Sequence, residues 1–188
     1  LFDNWTSDFS SIGGLTHEMG HFNSYYHLRG DSCIDVAEID SQGLEMLMIS
    51  KYRDFYGRYA GAAAGRMLTD AMYALVSGCM EDEFQQEVYQ NPNMTLDEMN
   101  ELYLRLAGEY GMQELYGFTG TEWVGIPHTF QSPMYYISYA TSMILSMELW
   151  DKSQSDYDAA RRAYFAILQR EPYAKLRSTA ALNGLSDP

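Results

Sequence analysis

Cysteine and basic side chains are scarce in this chain of 188 residues. Its two cysteines, Cys33 and Cys79, lack the C-x-x-C spacing that thiolate zinc sites and redox centres use. We therefore expect a reducing, cytoplasmic compartment. Lysine and arginine together number 12, against 26 acidic residues, which gives a formal net charge of −14. Such a charge argues against nucleic acid or an anionic membrane as a partner, and its simplest role is to keep the surface soluble.

Long apolar runs are also lacking. The best candidate for a membrane span, residues 60–76, is interrupted by Arg66 and Asp70, so we expect a soluble protein. No segment shows a convincing strand pattern, an internal repeat or low complexity. The length suits a single all-α domain over residues 1–188. Because the first residue is Leu1 and not methionine, we expect either a processed precursor or part of a longer chain.

Helical spacing of apolar residues organises most of the chain. It predicts helices over about 10–28, 35–56, 58–89, 95–110, 133–151 and 155–170, with a short one near 175–182. The alanine-rich segment 58–89 is predicted to form either one long helix or two shorter ones, and Pro92 should prevent its continuation. Thr95 and Glu98 have the form of a capping box. The glycine-rich segment 111–128 is expected to be a mobile, functional loop.

The first helix contains the H-E-x-x-H sequence that starts at His17 and ends at His21. On a helix these two histidines lie on the same face, so both imidazoles can reach one metal ion. Glu18 is rotated by about 100° from His17, which places it as a general base for metal-bound water. This division of roles is that of a zinc peptidase. A chance match between two unrelated histidines is the alternative for the motif taken alone.

The same helix is expected to pack through its apolar side, and Ser10 or Ser11 is expected to cap it. The residues on this side are Ile12, Leu15, Met19, Phe22 and Tyr26. Gly20 inside the helix costs roughly 1 kcal/mol relative to alanine. It marks either the close approach of another backbone or a glycine that is merely tolerated.

The second predicted helix supplies two acidic candidates, Glu38 and Glu45. Seven residues apart, they share a helix face but lie about 10 Å apart along the axis, so a straight helix cannot give both to one ion. We assign Glu38 as the third metal ligand and Glu45 as the acceptor for the outer N–H of a ligating histidine. Spacing alone gives equal weight to two solvated surface glutamates.

Tyrosine is abundant, with 16 residues, more than a core requires. His128 is followed by Tyr135, Tyr136 and Tyr139. Tyr136 and Tyr139 share a helix face and could donate hydrogen bonds to the charge that develops on an attacked carbonyl oxygen, whereas Tyr135 points elsewhere and is expected to pack. As isolated residues they would usually be core aromatics with a bonded hydroxyl, and composition does not choose between these roles.

Three blocks of the sequence together resemble the oligoendopeptidase F and thimet oligopeptidase family of zinc metallopeptidases, over nearly the whole chain. The blocks are the H-E-x-x-H helix with Asp8 upstream, the Glu-x-x-Ser-Gln-x-x-Glu segment 38–45, and Ile126-Pro127-His128 leading into Tyr135 through Thr141. The ending, residues 181–185, is also similar. The resemblance implies a helical fold and a chain that corresponds to the C-terminal catalytic part, and it implies cleavage of short peptides in a channel between two helical lobes.

The resemblance also implies roles for particular residues. His17, His21 and Glu38 would hold Zn²⁺, and Glu18 would be the general base. His128 and Tyr139, with Tyr136 nearby, would bind substrate or stabilise the tetrahedral intermediate. The segment 129–133 lacks the glycines of some relatives, and one extra residue separates His128 from the tyrosines. Which tyrosine reaches the intermediate therefore stays open.

Two other functions compete with a peptidase. Glu18 and His21 are also half of the metal signature of di-iron helical bundles, but no other histidine has a glutamate three residues before it. The second rival is a zinc-binding helical fragment or binding module without catalytic activity.

Overall fold

The structure, a computed structural model, describes residues 9–27 and 32–186. Within these ranges every regular element is helical, which confirms the all-α prediction. The helices are α1 (Phe9–His27), α2 (Ile39–Met48), α3 (Tyr52–Tyr56), α4 (Ala60–Gln90), α5 (Leu96–Glu109), α6 (Met112–Tyr116), α7 (Pro127–Gln131), α8 (Ile137–Ser155), α9 (Tyr157–Leu168) and α10 (Leu176–Leu182). Single 3₁₀ turns lie at Ile34–Val36, Ile49–Lys51, Gly57–Tyr59 and Glu122–Gly125. None of these helices is both long and apolar enough to cross a membrane.

The chain groups into two compact units, Leu1–Met72 with Thr141–Pro188, and Tyr73–Ala140. The core of the first unit consists mainly of Val36, Ile39, Leu47, Leu145, Leu149, Ala160, Tyr164, Ile167 and Leu168. The core of the second consists of Met80, Phe84, Tyr103, Leu106, Ala107, Met112 and Trp123. Each unit therefore buries an apolar cluster of its own. The single catalytic domain expected over residues 1–188 stays a prediction.

The long central helix and its exit follow the local sequence signals closely. The alanine-rich segment forms one unbroken helix, α4, and it ends one residue before Asn91. The Asn91 side-chain amide donates to the Glu87 carbonyl oxygen at 2.9 Å, which satisfies one of the last helical acceptors. The predicted capping box is present: the Glu98 backbone N–H donates to the Thr95 hydroxyl, and the Thr95 backbone N–H donates to the Glu98 carboxylate.

The second predicted helix, 35–56, is broken into shorter pieces. Glu38 lies in a turn directly before α2, and α2 ends at Met48. The Ser50 hydroxyl donates to the Leu47 carbonyl oxygen at 3.0 Å, a local bond that competes with the helical pattern at the break. A continuous helix was therefore the wrong expectation for this segment.

The packing side predicted for α1 is wrong. Of its five residues, Leu15, Phe22 and Tyr26 are exposed, and Ile12 and Met19 are only half-buried. The buried residues of this helix are Ser11, Gly20 and Ser24. Gly20 faces α2, and the two helices approach so closely there that a larger side chain has no room. Ser10 and Ser11 lie inside α1, after its first described residue, so neither is at the N-cap position. The predicted end of the helix, just after Leu28, lies outside the described residues.

The segment expected to be a mobile loop, 111–128, is partly helical. It contains α6 and the 3₁₀ turn Glu122–Gly125, and it leads into α7. Gly120 has a φ of 101° and approaches the backbone of Asn100, so a side chain at this position would be excluded. The Trp123 indole donates to the Asn100 side-chain oxygen at 3.0 Å. The segment is thus held against α5.

Candidate functional site

The two histidines of α1 converge as their four-residue spacing predicts. The Nε2 atoms of His17 and His21 lie 3.2 Å apart, and the rings meet edge to face. The side chains are 25% and 35% exposed. One side of the pair is therefore open to solvent in this structure.

Glu38 brings a carboxylate oxygen to the same point from a different element. Its Oε2 lies 3.4 Å from His17 Nε2 and 3.5 Å from His21 Nε2, and its side chain is 3% exposed. The Ser41 hydroxyl lies 3.0 Å from the same Oε2 and 2.9 Å from the Glu38 backbone oxygen, so it can hold the carboxylate in place. The structure thus brings together three residues that could hold a metal ion, His17, His21 and Glu38.

The spacing of these atoms can be compared with what a metal ion requires. Ligand atoms placed about 2.0–2.2 Å from a zinc ion at tetrahedral angles lie roughly 3.3–3.6 Å from one another. The three observed separations are 3.2, 3.4 and 3.5 Å. Two imidazole nitrogens and one carboxylate oxygen are also a donor set that zinc accepts in catalytic sites. The residues present therefore fit a zinc ion.

Further carboxylates surround His17. Glu45 Oε2 lies 3.4 Å from His17 Nδ1, on the side of the ring away from Glu38. Burial lowers the pKa of the His17 imidazole, but the hydrogen bond to Glu45 and the charges of Glu45, Glu38 and Glu18 outweigh it, so the pKa is raised overall. A surrounding negative field of this kind favours a bound cation. Glu18 itself is half-buried on α1 beside His17.

Gly20 explains how the histidines on α1 and the carboxylate before α2 come so close. A Cβ atom added to Gly20 would overlap the Asp40 carbonyl oxygen and the Ser41 Cα. Of the two meanings that the sequence left open for this glycine, the close approach of another backbone is therefore the correct one.

The second candidate group lies in the unit Tyr73–Ala140. The Tyr139 hydroxyl lies 3.3 Å from His128 Nε2, within hydrogen-bonding distance. The Tyr136 ring meets both His128 and Tyr139 edge to face, at centroid distances of 5.6 and 5.1 Å. All three side chains line a cavity of about 310 Å³ together with Tyr73, Ala74, Ser77, Gly125, Ile126 and Pro127. Burial raises the pKa of the Tyr136 hydroxyl to about 12, so it stays a hydrogen-bond donor at neutral pH.

Tyr135 belongs to this group as well, contrary to the sequence prediction that it points elsewhere. Its ring stacks on His128 with an interplanar angle of 16°. The prediction assumed a helix from Pro133, but α8 begins at Ile137, and Met134 has a φ of 63° in the left-handed region. Helical spacing therefore does not apply between positions 135 and 139.

A buried side chain of α4 holds this non-helical segment. Gln85 is 3% exposed, and its Oε1 accepts a hydrogen bond from the Met134 backbone N–H at 2.8 Å. The bond spans 49 positions of sequence and ends on the residue with the left-handed backbone. Nothing in the local sequence pattern signals it.

One buried acid was also missed by the sequence analysis. Glu81 is 1% exposed and accepts a hydrogen bond from the Tyr103 hydroxyl. Burial raises the pKa of the Glu81 carboxyl to about 7, although the Tyr103 bond acts in the opposite direction. The partners are 22 positions apart and come together only through the packing of α4 and α5.

The helical fold and the cluster formed by α1 and the turn before α2 define the class of this chain, an all-α protein with a candidate site for one divalent cation. Comparison with solved structures then shows which proteins the chain is similar to. The chain is similar to PZ peptidase A with an inhibitor (TM-score 0.89, 25% identity), covering 97% of this chain and 35% of that one. It is also similar to a protein provisionally assigned as oligoendopeptidase F (TM-score 0.87, 26% identity), covering 97% and 34%.

A third solved structure shows the fold alone. It is provisionally assigned as an oligoendopeptidase F from Bacillus anthracis, with a TM-score of 0.77 and 22% identity over 94% of this chain and 30% of that one. The chain thus spans about a third of the length of the structures it matches. No family model and no curated protein matches it. The predicted resemblance to oligoendopeptidase F is confirmed, and the chain has the fold of the helical part of these peptidases.

Proposed function

We infer that this chain carries the zinc-binding catalytic part of a metalloendopeptidase that hydrolyses short peptides. The observation that carries the inference is the triangle formed by His17 Nε2, His21 Nε2 and Glu38 Oε2, whose sides match the edges of a zinc coordination tetrahedron. Calcium and magnesium prefer oxygen ligands, so two imidazoles favour zinc over either.

His17, His21 and Glu38 would hold the ion in this proposal. When bound, zinc supplies a Lewis acid that polarises a carbonyl and lowers the pKa of water toward about 7. Glu45, at 3.4 Å from His17 Nδ1, fixes the orientation of that ring and its tautomer. The exposed fractions of the two histidine side chains support a position that solvent and substrate can reach.

Glu18 is assigned as the general base and then the general acid. A half-buried carboxylate next to His17 can take a proton from the attacking water and deliver it to the leaving amine. The negative charge of Glu18 already contributes to the raised pKa of His17, which supports its proximity to the ligand set.

His128, Tyr136 and Tyr139 are proposed to bind the substrate or to stabilise the charge on the attacked carbonyl oxygen. Hydroxyl and imidazole donors suit that role. The contact of 3.3 Å between the Tyr139 hydroxyl and His128 Nε2 supports their action as a pair. Peptides are the proposed substrates because the similar solved structures are peptidases.

The Glu18→Gln variant tests the proposal in the full-length protein that carries this sequence. We expect zinc content equal to that of the wild type and a loss of hydrolysis of a fluorogenic peptide by more than about 100-fold. Glu114→Gln removes one exposed carboxylate on α6 and serves as the matched control, with unchanged activity. Full activity of the Glu18 variant would refute its role. A wild-type protein that binds zinc but cleaves no peptide would favour the non-catalytic alternative.

A further inference from the structure

A buried ion pair anchors the turn that carries Glu38. Asp40 lies two residues after Glu38, in the first turn of α2. Arg170, just beyond α9, donates to both of its carboxylate oxygens, with Nη1–Oδ1 at 2.5 Å and Nη2–Oδ2 at 2.8 Å. The two side chains are 4% and 3% exposed. A two-point contact between planar groups restricts both the position and the rotation of the carboxylate.

Other bonds tie the same point to the rest of the first unit. Arg170 also donates to the Ser32 hydroxyl at 2.7 Å and to the Ile167 carbonyl oxygen at 3.0 Å. The buried Tyr164 hydroxyl donates to the Asp40 backbone oxygen at 2.7 Å. Tyr164 of α9 and Arg170 just after it therefore hold both the backbone and the side chain of Asp40, the second residue of α2.

Asp40 and Ser41 lie between this anchor and the candidate metal site. On one side their backbone contacts Gly20 of the histidine helix. On the other, the Ser41 hydroxyl contacts Glu38 Oε2 at 3.0 Å. A shift of this turn would therefore change the distance from Glu38 to the two imidazoles.

We propose that Arg170 is a positioning residue for the metal site, which sets the place of Glu38 through its two-point contact with Asp40. The proposal rests on the proposed zinc function. It concerns the geometry of the ligand set, and so it differs from a role in stability alone. Replacement of partners outside the ligand shell of a metal commonly weakens its binding by about 10- to 100-fold.

Three variants separate geometry from stability. Arg170→Lys keeps the positive charge but loses the planar fork. Arg170→Met combined with Asp40→Leu removes both charges, a change that often preserves or improves stability. Arg161→Lys is the matched control, because Arg161 makes an exposed ion pair with Asp158 at 3.3 Å and lies on α9, the helix that Arg170 follows.

The experiment measures zinc affinity by competition with a chelator, the visible absorption spectrum of the cobalt(II) form, and the unfolding of the metal-free protein in urea. We expect Arg170→Lys and the double variant each to bind zinc about 10- to 100-fold more weakly, with an altered cobalt spectrum. We expect the double variant to keep this defect even where its unfolding midpoint equals that of the wild type. Arg161→Lys should match the wild type in all three measurements.

Three results would overturn the proposal. One is a folded Arg170→Lys protein that binds zinc within about two-fold of the wild type with an unchanged cobalt spectrum. Another is a double variant in which zinc affinity recovers together with stability. If Arg170→Lys does not fold, Asp40→Asn is measured in its place. The third result is that neither of these two single variants folds, because the ion pair would then be a determinant of folding. A wild-type protein that binds no zinc would instead refute the proposed function.

Discussion

Replacement of Gly20 by alanine tests the close approach of α1 and α2 on which the metal cluster depends. The added methyl group would overlap the backbone of Asp40 and Ser41, and backbone atoms cannot move aside as the end of a flexible side chain can. The two helices would have to separate. Because His17 and His21 lie on one helix and Glu38 at the start of the other, that separation would also open the ligand triangle.

The expected magnitude follows from two opposing effects. Alanine is favoured over glycine inside a helix by about 1 kcal/mol. Overpacking of a tight contact costs typically about 1–3 kcal/mol, and rigid backbone neighbours place this site at the upper end. The net loss in the free energy of unfolding should then be about 2 kcal/mol.

Gly13 provides the control within the same helix. Apart from its chain neighbours and the nearby backbone of its own helix, no atom of the described residues lies within 4 Å of a Cβ added there. Gly13→Ala therefore keeps only the propensity effect and should stabilise the protein by about 1 kcal/mol. Urea unfolding of the metal-free variants and zinc competition with a chelator measure both consequences. A Gly20→Ala protein as stable as Gly13→Ala, with wild-type zinc affinity, would refute the reasoning.

Three further predictions concern the unit Tyr73–Ala140. Tyr139→Phe should lower the turnover of a fluorogenic peptide by about 100-fold with little change in KM, because its hydroxyl acts mainly in the transition state; a change in KM alone would make it a binding residue. Gln85→Leu removes the acceptor for the Met134 N–H, so the segment that leads to Tyr135 and Tyr136 would no longer be held. The variant should turn over peptide more slowly with the same zinc content as the wild type, and wild-type kinetics would contradict this. For Glu81, the folded protein holds an extra proton between pH 4.5 and about 7, so stability should fall as pH rises through this window, by on the order of 3 kcal/mol in total. Glu81→Gln should remove this fall in urea unfolding at about pH 5 and about pH 8, and a wild-type pH profile in the variant would show that Glu81 is not its cause.

Signals that act over one helical turn were predictable from the sequence. The convergence of His17 and His21 follows from a spacing of four residues, and the Thr95 cap follows from residues three apart. The end of α4 before Asn91 has a local cause as well, the hydrogen bond from the Asn91 side chain to the Glu87 carbonyl oxygen. These features need no knowledge of which elements meet in space.

Features that depend on distant contacts were not predictable. The salt bridge between Asp40 and Arg170 spans 130 positions, and the bond from Met134 to Gln85 spans 49. The packing side of α1 does not follow from hydrophobicity, because the close approach of α2 at Gly20 excludes a larger side chain there. The stacking of Tyr135 on His128 was missed for a similar reason, since the left-handed backbone at Met134 has no marker in the sequence.

A crystal structure of the zinc-loaded protein, with diffraction recorded at the zinc absorption edge, would show whether the three side chains share one ion. We predict one ion about 2.0–2.2 Å from His17 Nε2, His21 Nε2 and a carboxylate oxygen of Glu38, with a further position open to solvent. An ion bound elsewhere, or one held by the two histidines while the Glu38 carboxylate points away, would contradict it.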